Sequence, residues 1–202
     1  MGRFTTEEAI NTVPEIDSPD EVKDIVFQLG LNDLRQATPN NVIQEKYLNM
    51  QIKYYKKYPN ARQHIMAIPP LANRHNDLNQ HLQKLSKFTG SNFITTEPLR
   101  DINTGKIRRN LMDQKQIIHY NKDGIKIVAR EIKRSLYSSS NRDNSRLRLM
   151  ANTEIGSTNV NPPPSVSQSE SGSGNANNAA IITVSNTSIV TANQFSALSV
   201  DQ

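Results

Sequence analysis

The sequence predicts a three-layer α/β/α fold on a short parallel sheet, followed by a disordered tail. Short apolar, β-rich runs alternate with longer stretches of helical periodicity up to about Leu136, the pattern of successive βαβ units with helices on both sheet faces. From Met150 to Gln202 there is no Lys or Arg, and Ser, Asn, Thr, Pro and Gly dominate, a composition that cannot offset the entropy of ordering. The expected organisation is an N-terminal helix and linker over residues 1–21, an α/β domain over 22–138 and a low-complexity tail over 139–202.

Each element has a local cause. Thr5 precedes Glu8 at capping-box spacing, which predicts a short helix from Thr6 to about Val13, ended near Pro14. Asp24 to Leu29, reading DIVFQL, is a buried-strand pattern bounded by acidic residues and Gly30. Thr38 is placed to cap a helix with Pro39 at its first position, and Ile43, Tyr47, Met50 and Tyr54 recur on one face until Pro59. A second strand, His64 to Ile68, closes on Pro69 and Pro70. A helix over His75 to Phe88 follows, using Leu78, Leu82 and Leu85. Asn92 to Thr96 is the third strand, and after a turn at Asn103, Thr104 and Gly105 a last helix runs from about Asn121 to Leu136, with Ile125, Val128, Ile132 and Leu136 on one side. In open parallel sheets ligands bind beyond the carboxyl ends of the strands. The residues to inspect for chemistry are therefore Gly30 to Arg35, Pro69 to Arg74 and Thr95 to Asp101.

The formal net charge of +5 belongs to the part before the tail, since the few charges after Met150 are all acidic. Lys122, Lys126, Arg130, Lys133 and Arg134 form a basic strip on the last helix, followed by Arg142, Arg146 and Arg148. Such a strip suits phosphate contacts, yet it carries no interleaved aromatic residues for base stacking and reads first as a solvated face. The absence of Cys removes disulfides, thiolate catalysis and thiolate metal sites. His64, His75 and His81 form no i, i+4 ligand pair and read as strand and helix surface, so neither metal nor cofactor is expected. No apolar stretch approaches the roughly 20 residues a bilayer requires, and the N-terminus has no apolar leader. The expectation is a soluble, intracellular protein, cytoplasmic or nuclear, without a membrane partner.

After the first strand stand Gly30, Leu31, Asn32 and Asp33; the second strand closes on Pro-Pro; His119, Tyr120 and Asn121, with Gly124 following, precede the last helix. A G-x-N-D at a strand end and a His-x-Asn before the C-terminal helix, in this order and at this spacing, resemble the third and fifth sequence blocks of the SGNH, or GDSL-like, hydrolase superfamily. The resemblance covers roughly Val22 to Leu136. It implies a flavodoxin-like three-layer fold and a serine esterase or acetyl hydrolase chemistry. It places Asn32 as a side-chain oxyanion donor, a role worth about 3 kcal/mol of an acyl-transfer barrier. It places His119 as the general base that deprotonates the serine and then protonates the leaving group.

The pattern departs from the family in two places. Gln116 stands where the family has the Asp that orients the histidine, and loss of that carboxylate costs on the order of 10⁴ in turnover. The G-D-S block is missing, and the nucleophile with it. Ser18 lies too close to the first strand to leave room for the helix and strand that should intervene. The expected state is an N-terminally truncated SGNH-like domain, inactive as it stands, whose sheet has an open edge inviting self-association or a protein partner. The uncharged, β-branched run Ala179 to Ala192 is expected to be solvated, with pairing to a sheet edge as the alternative. SGNH-like domains beside low-complexity segments also occur in animal retroelement proteins, to which this pairing is similar. The competing function is a non-enzymatic module binding protein or nucleic acid through the basic helix face or the open edge.

Overall fold

A computed structural model describes residues 5–13, 19–69, 74–113, 119–138, 145–156, 180–184 and 189–191. Ser18, Pro70, Gln116 and Arg142 lie outside the described residues. Helix α1, Thr6–Asn11, carries the expected capping box between Thr5 and Glu8. Strand β1 is Asp24–Gln28, β2 is Arg62–Met66 and β3 is Asn92–Ile94. The helices between and after them are α2 (Leu31–Arg35), α3 (Asn40–Lys57), α4 (His75–Thr89), α5 (Lys122–Ser138) and α6 (Ser145–Gly156). Strands β4 (Ala180–Val184) and β5 (Ile189–Thr191) complete the sheet in the order β3-β2-β1-β4-β5. The mixed α/β architecture with three parallel strands agrees with the sequence; β4 and β5 join it antiparallel.

Alternation along the strands sorts side chains to two faces, because successive residues of a strand point to opposite sides. Ile25, Phe27 and Ile65 pack with Ile43, Tyr47, Met50 and Tyr54 of α3 and Leu78, Leu82 and Leu85 of α4. Val26, Met66 and Ile94 face the other way, against Val128, Ile132 and Leu136 of α5. The aliphatic side chains among these that are buried, such as Ile25, Ile65, Leu78, Val26 and Ile132, each contribute about 1.5–3 kcal/mol relative to exposure, while Val128 and Leu136 are partly buried. The α5 stripe read from the sequence is thus the second outer layer.

Several boundaries differ from expectation. β2 begins at Arg62 and ends at Met66 because Ile68 leaves the ladder: its N–H and C=O are both taken by the Asn79 side-chain amide, at 2.7 and 2.9 Å. Thr38 is not the cap of α3; Pro39 holds that position in extended conformation and Asn40 is the first helical residue. The turn helix α2 was not expected. It starts at Gly30, whose φ of 99° suits glycine and whose added Cβ would sit 3.2 Å from Leu78 and 3.3 Å from Ile68.

Within the stretch expected as tail, residues 145–156 and 180–184 form elements. Residues 145–156 form a helix that buries Leu147 and Ala151 against Ile52 of α3. Residues 180–184 pair with β1 instead of standing in solvent. An unpaired β1 edge would leave a row of backbone donors and acceptors without partners, and an apolar run with high β-propensity supplies them.

Candidate functional site

The carboxyl end of β1 is where the sequence places chemistry. The chain leaves β1 at Gln28, is held at Leu29 and turns at Gly30. The buried Tyr47 hydroxyl accepts from the Leu29 N–H at 2.8 Å and donates to the Leu29 carbonyl at 2.9 Å. Burial pushes the Tyr47 phenol far above its ordinary range, so it is a fixed neutral clamp. Asn32 then sits, partly buried, in the first turn of α2. Its neighbour Asp33 is buried, and one carboxylate oxygen accepts from both the backbone N–H and the hydroxyl of Thr6, each at 3.0 Å. That oxygen satisfies an orphan donor at the start of α1, so Asp33 serves to dock α1.

His119 is held by backbone. Its carbonyl accepts from Asp113 N–H at 2.8 Å, Met112 and Tyr120 bridge in antiparallel fashion, and Asn121 N–H donates to the Leu111 carbonyl at 3.0 Å. The Asn121 side chain adds bonds to the Asn110 and Met112 carbonyls at 2.7 and 3.3 Å, while its oxygen caps α5 by accepting from Asp123 and Gly124 N–H. Gly124 lets this loop close, since a Cβ there would lie 2.2 Å from the Leu111 carbonyl oxygen. The loop reaches the sheet through Tyr120, whose hydroxyl accepts from the Gln28 amide at 3.5 Å and whose phenol burial raises well above its ordinary range. Asn32 and His119 therefore stand on segments anchored to the same end of β1. Among the described residues no hydroxyl hydrogen-bonds His119.

A different constellation does have Ser-His-Asp connectivity, and sequence reasoning missed it. His64, expected at the surface, is wholly buried on the α5 face of the sheet. One imidazole nitrogen (Nε2) lies 2.8 Å from Asp24 Oδ1; the other (Nδ1) lies 3.2 Å from Ser135 Oγ of α5 and 3.3 Å from the Asn92 amide. Arg62 grips the same carboxylate in two places, Nε to Oδ1 and Nη2 to Oδ2, both 2.8 Å. Burial alone would raise the Asp24 pKa, but the hydrogen bonds and charges of His64 and Arg62 outweigh it and hold the carboxyl below its usual range. This cluster sits at the amino ends of the strands. Ser135 lies inside a helix, whose backbone N–H groups are occupied by helical bonds and cannot form an oxyanion hole. The network therefore docks α5 on the sheet and is not a nucleophile site. The one available signal was that Asp24, His64 and Asn92 each open a strand as read from the sequence; in the ladder His64 lies opposite Asn92 and Val26, and Asp24 opposite Arg62.

The other histidines are ordinary: His75 contacts Arg100 at 3.0 Å and His81 contacts Gln44 at 2.8 Å. Among the described residues no group of His, Asp or Glu could hold a metal ion, and no helix is long and apolar enough to cross a membrane. The basic strip is partly self-neutralised: Lys126 pairs with Asp123 at 3.1 Å, and Glu131 takes Arg134 at 3.1 Å and Arg130 at 3.5 Å. It also carries an aromatic residue after all, because Tyr137 is exposed on α5 with the Lys133 ammonium 5.8 Å from its ring.

No family model matches this chain, and no curated protein matches it. Among solved structures it is similar to the crystal structure of the OSK domain of Drosophila Oskar, at 20% identity and a TM-score of 0.48 over 67% of this chain and 71% of that one.

Proposed function

We propose that this chain is an SGNH hydrolase-like domain that does not turn over esters as it stands and serves as a binding scaffold. The observation that carries the reading is the direction of β4. In SGNH hydrolases the serine follows a parallel strand beside the one that ends in G-x-N-D, so its hydroxyl emerges at the carboxyl end of the sheet. Here that neighbouring position is filled by β4, which runs antiparallel, with Ala180 opposite Gln28 and Val184 opposite Asp24. β4 therefore ends, at Val184 opposite Asp24, at the amino end of the sheet, away from Asn32 and His119. The shared anchoring of the Asn32 and His119 segments at the carboxyl end of β1 supports the family resemblance.

The test is hydrolysis of a short-chain aryl ester by purified protein, beside His119→Ala and Asn32→Ala. The expected rate is that of buffer for all three. Turnover that His119→Ala abolishes refutes the inactive reading.

A second reading is favoured by Tyr137, which stands exposed with the Lys133 ammonium over its ring and offers a stacking surface next to a cationic group. On this reading α5 binds single-stranded nucleic acid. Binding that falls steeply with salt and weakens for Tyr137→Ala supports it, whereas unchanged affinity in Lys133→Ala/Tyr137→Ala removes α5 as the contact.

A further inference from the structure

Helix α6 rests on α3 through Leu147 and Ala151 and on the end of α4 through Arg146. The Arg146 guanidinium donates to the Phe88 carbonyl at 3.1 Å and lies 5.2 Å from the centre of the Phe88 ring. Phe88 nevertheless stays 43% exposed, and Leu149 is 66% exposed. Residues three or four apart share a helix face, so Leu149 stands on the same side of α6 as Arg146, and Lys84 on the same side of α4 as Phe88. Lys87, next to Phe88, is exposed like Lys84. The packing of α6 on α4 thus brings two apolar side chains and three cations to one seam at the surface.

The charge of this seam is one-sided. The sequence has no acidic residue between Asp77 and Glu97 or between Asp143 and Glu154. Among the described residues Lys84, Lys87 and Arg146 form no ion pair with a carboxylate, whereas Lys126, Arg130 and Arg134 of α5 each pair within their own helix. With no internal carboxylate competing for them, the seam cations complement carboxylates brought by a partner, and Phe88 and Leu149 supply the apolar contact that such a partner would cover. Nucleic acid fits this surface less well. A base stacks on an open aromatic face; Leu149 has none, and Phe88, less than half exposed, is overlain by a planar guanidinium.

We propose that the α4–α6 seam docks an acidic amphipathic helix of a partner protein, its apolar residues on Phe88 and Leu149 and its carboxylates on Lys84, Lys87 and Arg146. A helix of this kind presents apolar anchors at i, i+3, i+4 and i+7 with acidic side chains beside them. The seam belongs to the layer of α3 and α4, across the sheet from α5, and is separate from both the α5 surface and the carboxyl end of β1.

The test titrates the full chain into a fluorescent synthetic peptide of about 14 residues, roughly four helical turns, with Leu at that spacing and Glu elsewhere. Saturable binding is expected. Affinity should fall at least about ten-fold for Leu149→Ser, for Lys84→Glu/Lys87→Glu, and for a peptide with Gln in place of Glu. Both protein variants change exposed side chains only, and Lys84→Glu/Lys87→Glu decides the matter should Leu149→Ser loosen α6. No saturable binding, or affinity unchanged in Lys84→Glu/Lys87→Glu, overturns the proposal. So does a single-stranded oligonucleotide or a phosphatidylserine vesicle that binds more tightly than the peptide and is lost in the same variants, because the seam then serves another class of partner.

Discussion

Replacing Asp24 with Asn keeps the size of the side chain and removes the charge on which the amino end of the sheet is organised. The carboxylate, 5% exposed, takes His64 and two Arg62 donors, each at 2.8 Å. An amide can accept at one position only and turns a second donor toward groups that already donate. Losing a charge-assisted bond to the buried His64 costs about 1.5–3 kcal/mol. Arg62 is 35% exposed and regains water, so its share is nearer about 0.5–1 kcal/mol. The expected loss is about 2–4 kcal/mol, a large part of the 5–15 kcal/mol typical of a domain. Urea unfolding followed by circular dichroism measures it, and a double-mutant cycle with Ser135→Ala should reveal coupling through His64 of at least about 0.5 kcal/mol. The pH dependence supplies a second readout. The Asp24 pKa is lowered on folding from 3.8, so its contribution is fully present above the unfolded value and is lost as pH falls through the folded one. The gap between wild type and Asp24→Asn should therefore shrink below about pH 3.8. A cost under about 1 kcal/mol at neutral pH, or a gap that does not change with acid, would refute the account of α5 docking.

Two further outcomes follow from the carboxyl end of the sheet. Gly124→Ala places a methyl 2.2 Å from a backbone carbonyl that cannot rotate away, so it should cost about 1–3 kcal/mol of overpacking and loosen the His119 loop; an unchanged thermal midpoint would contradict that packing. Tyr47→Phe leaves the Leu29 N–H and C=O unpaired in the core, at about 1–3 kcal/mol in urea titration. Since folding raises the Tyr47 pKa above its ordinary 10.0, the phenol's contribution is full below that value and fades as pH rises through the folded one, and Tyr47→Phe should lack this alkaline fall in stability.

Local features were legible where the chain decides them by itself. The capping box of Thr5 and Glu8, the α3 face of Ile43, Tyr47, Met50 and Tyr54, and the α5 stripe of Val128, Ile132 and Leu136 each follow from side-chain spacing within one element, and each lies where the spacing puts it. The parallel order of β1, β2 and β3 follows from alternation with helices. The burial of His64 was illegible, because a histidine on a strand looks the same in sequence whether or not Asp24, Arg62, Asn92 and Ser135 meet it. Tyr137 escaped notice as an aromatic of the basic strip because its exposure depends on how α5 is rotated against the sheet. The place of residues 180–191 was undecided for the same reason: an uncharged β-branched run has no preference between solvent, a partner and a sheet edge until a particular edge is there to pair with. Sequence alone determined α1, α3, α4 and α5 with β1, β2 and β3, their order, and the positions of Asn32 and His119 beside strand and helix ends. Tertiary structure alone decided which strand seals β1 and in which direction, since backbone hydrogen bonding is indifferent to sequence distance and satisfies whatever edge the fold leaves unpaired.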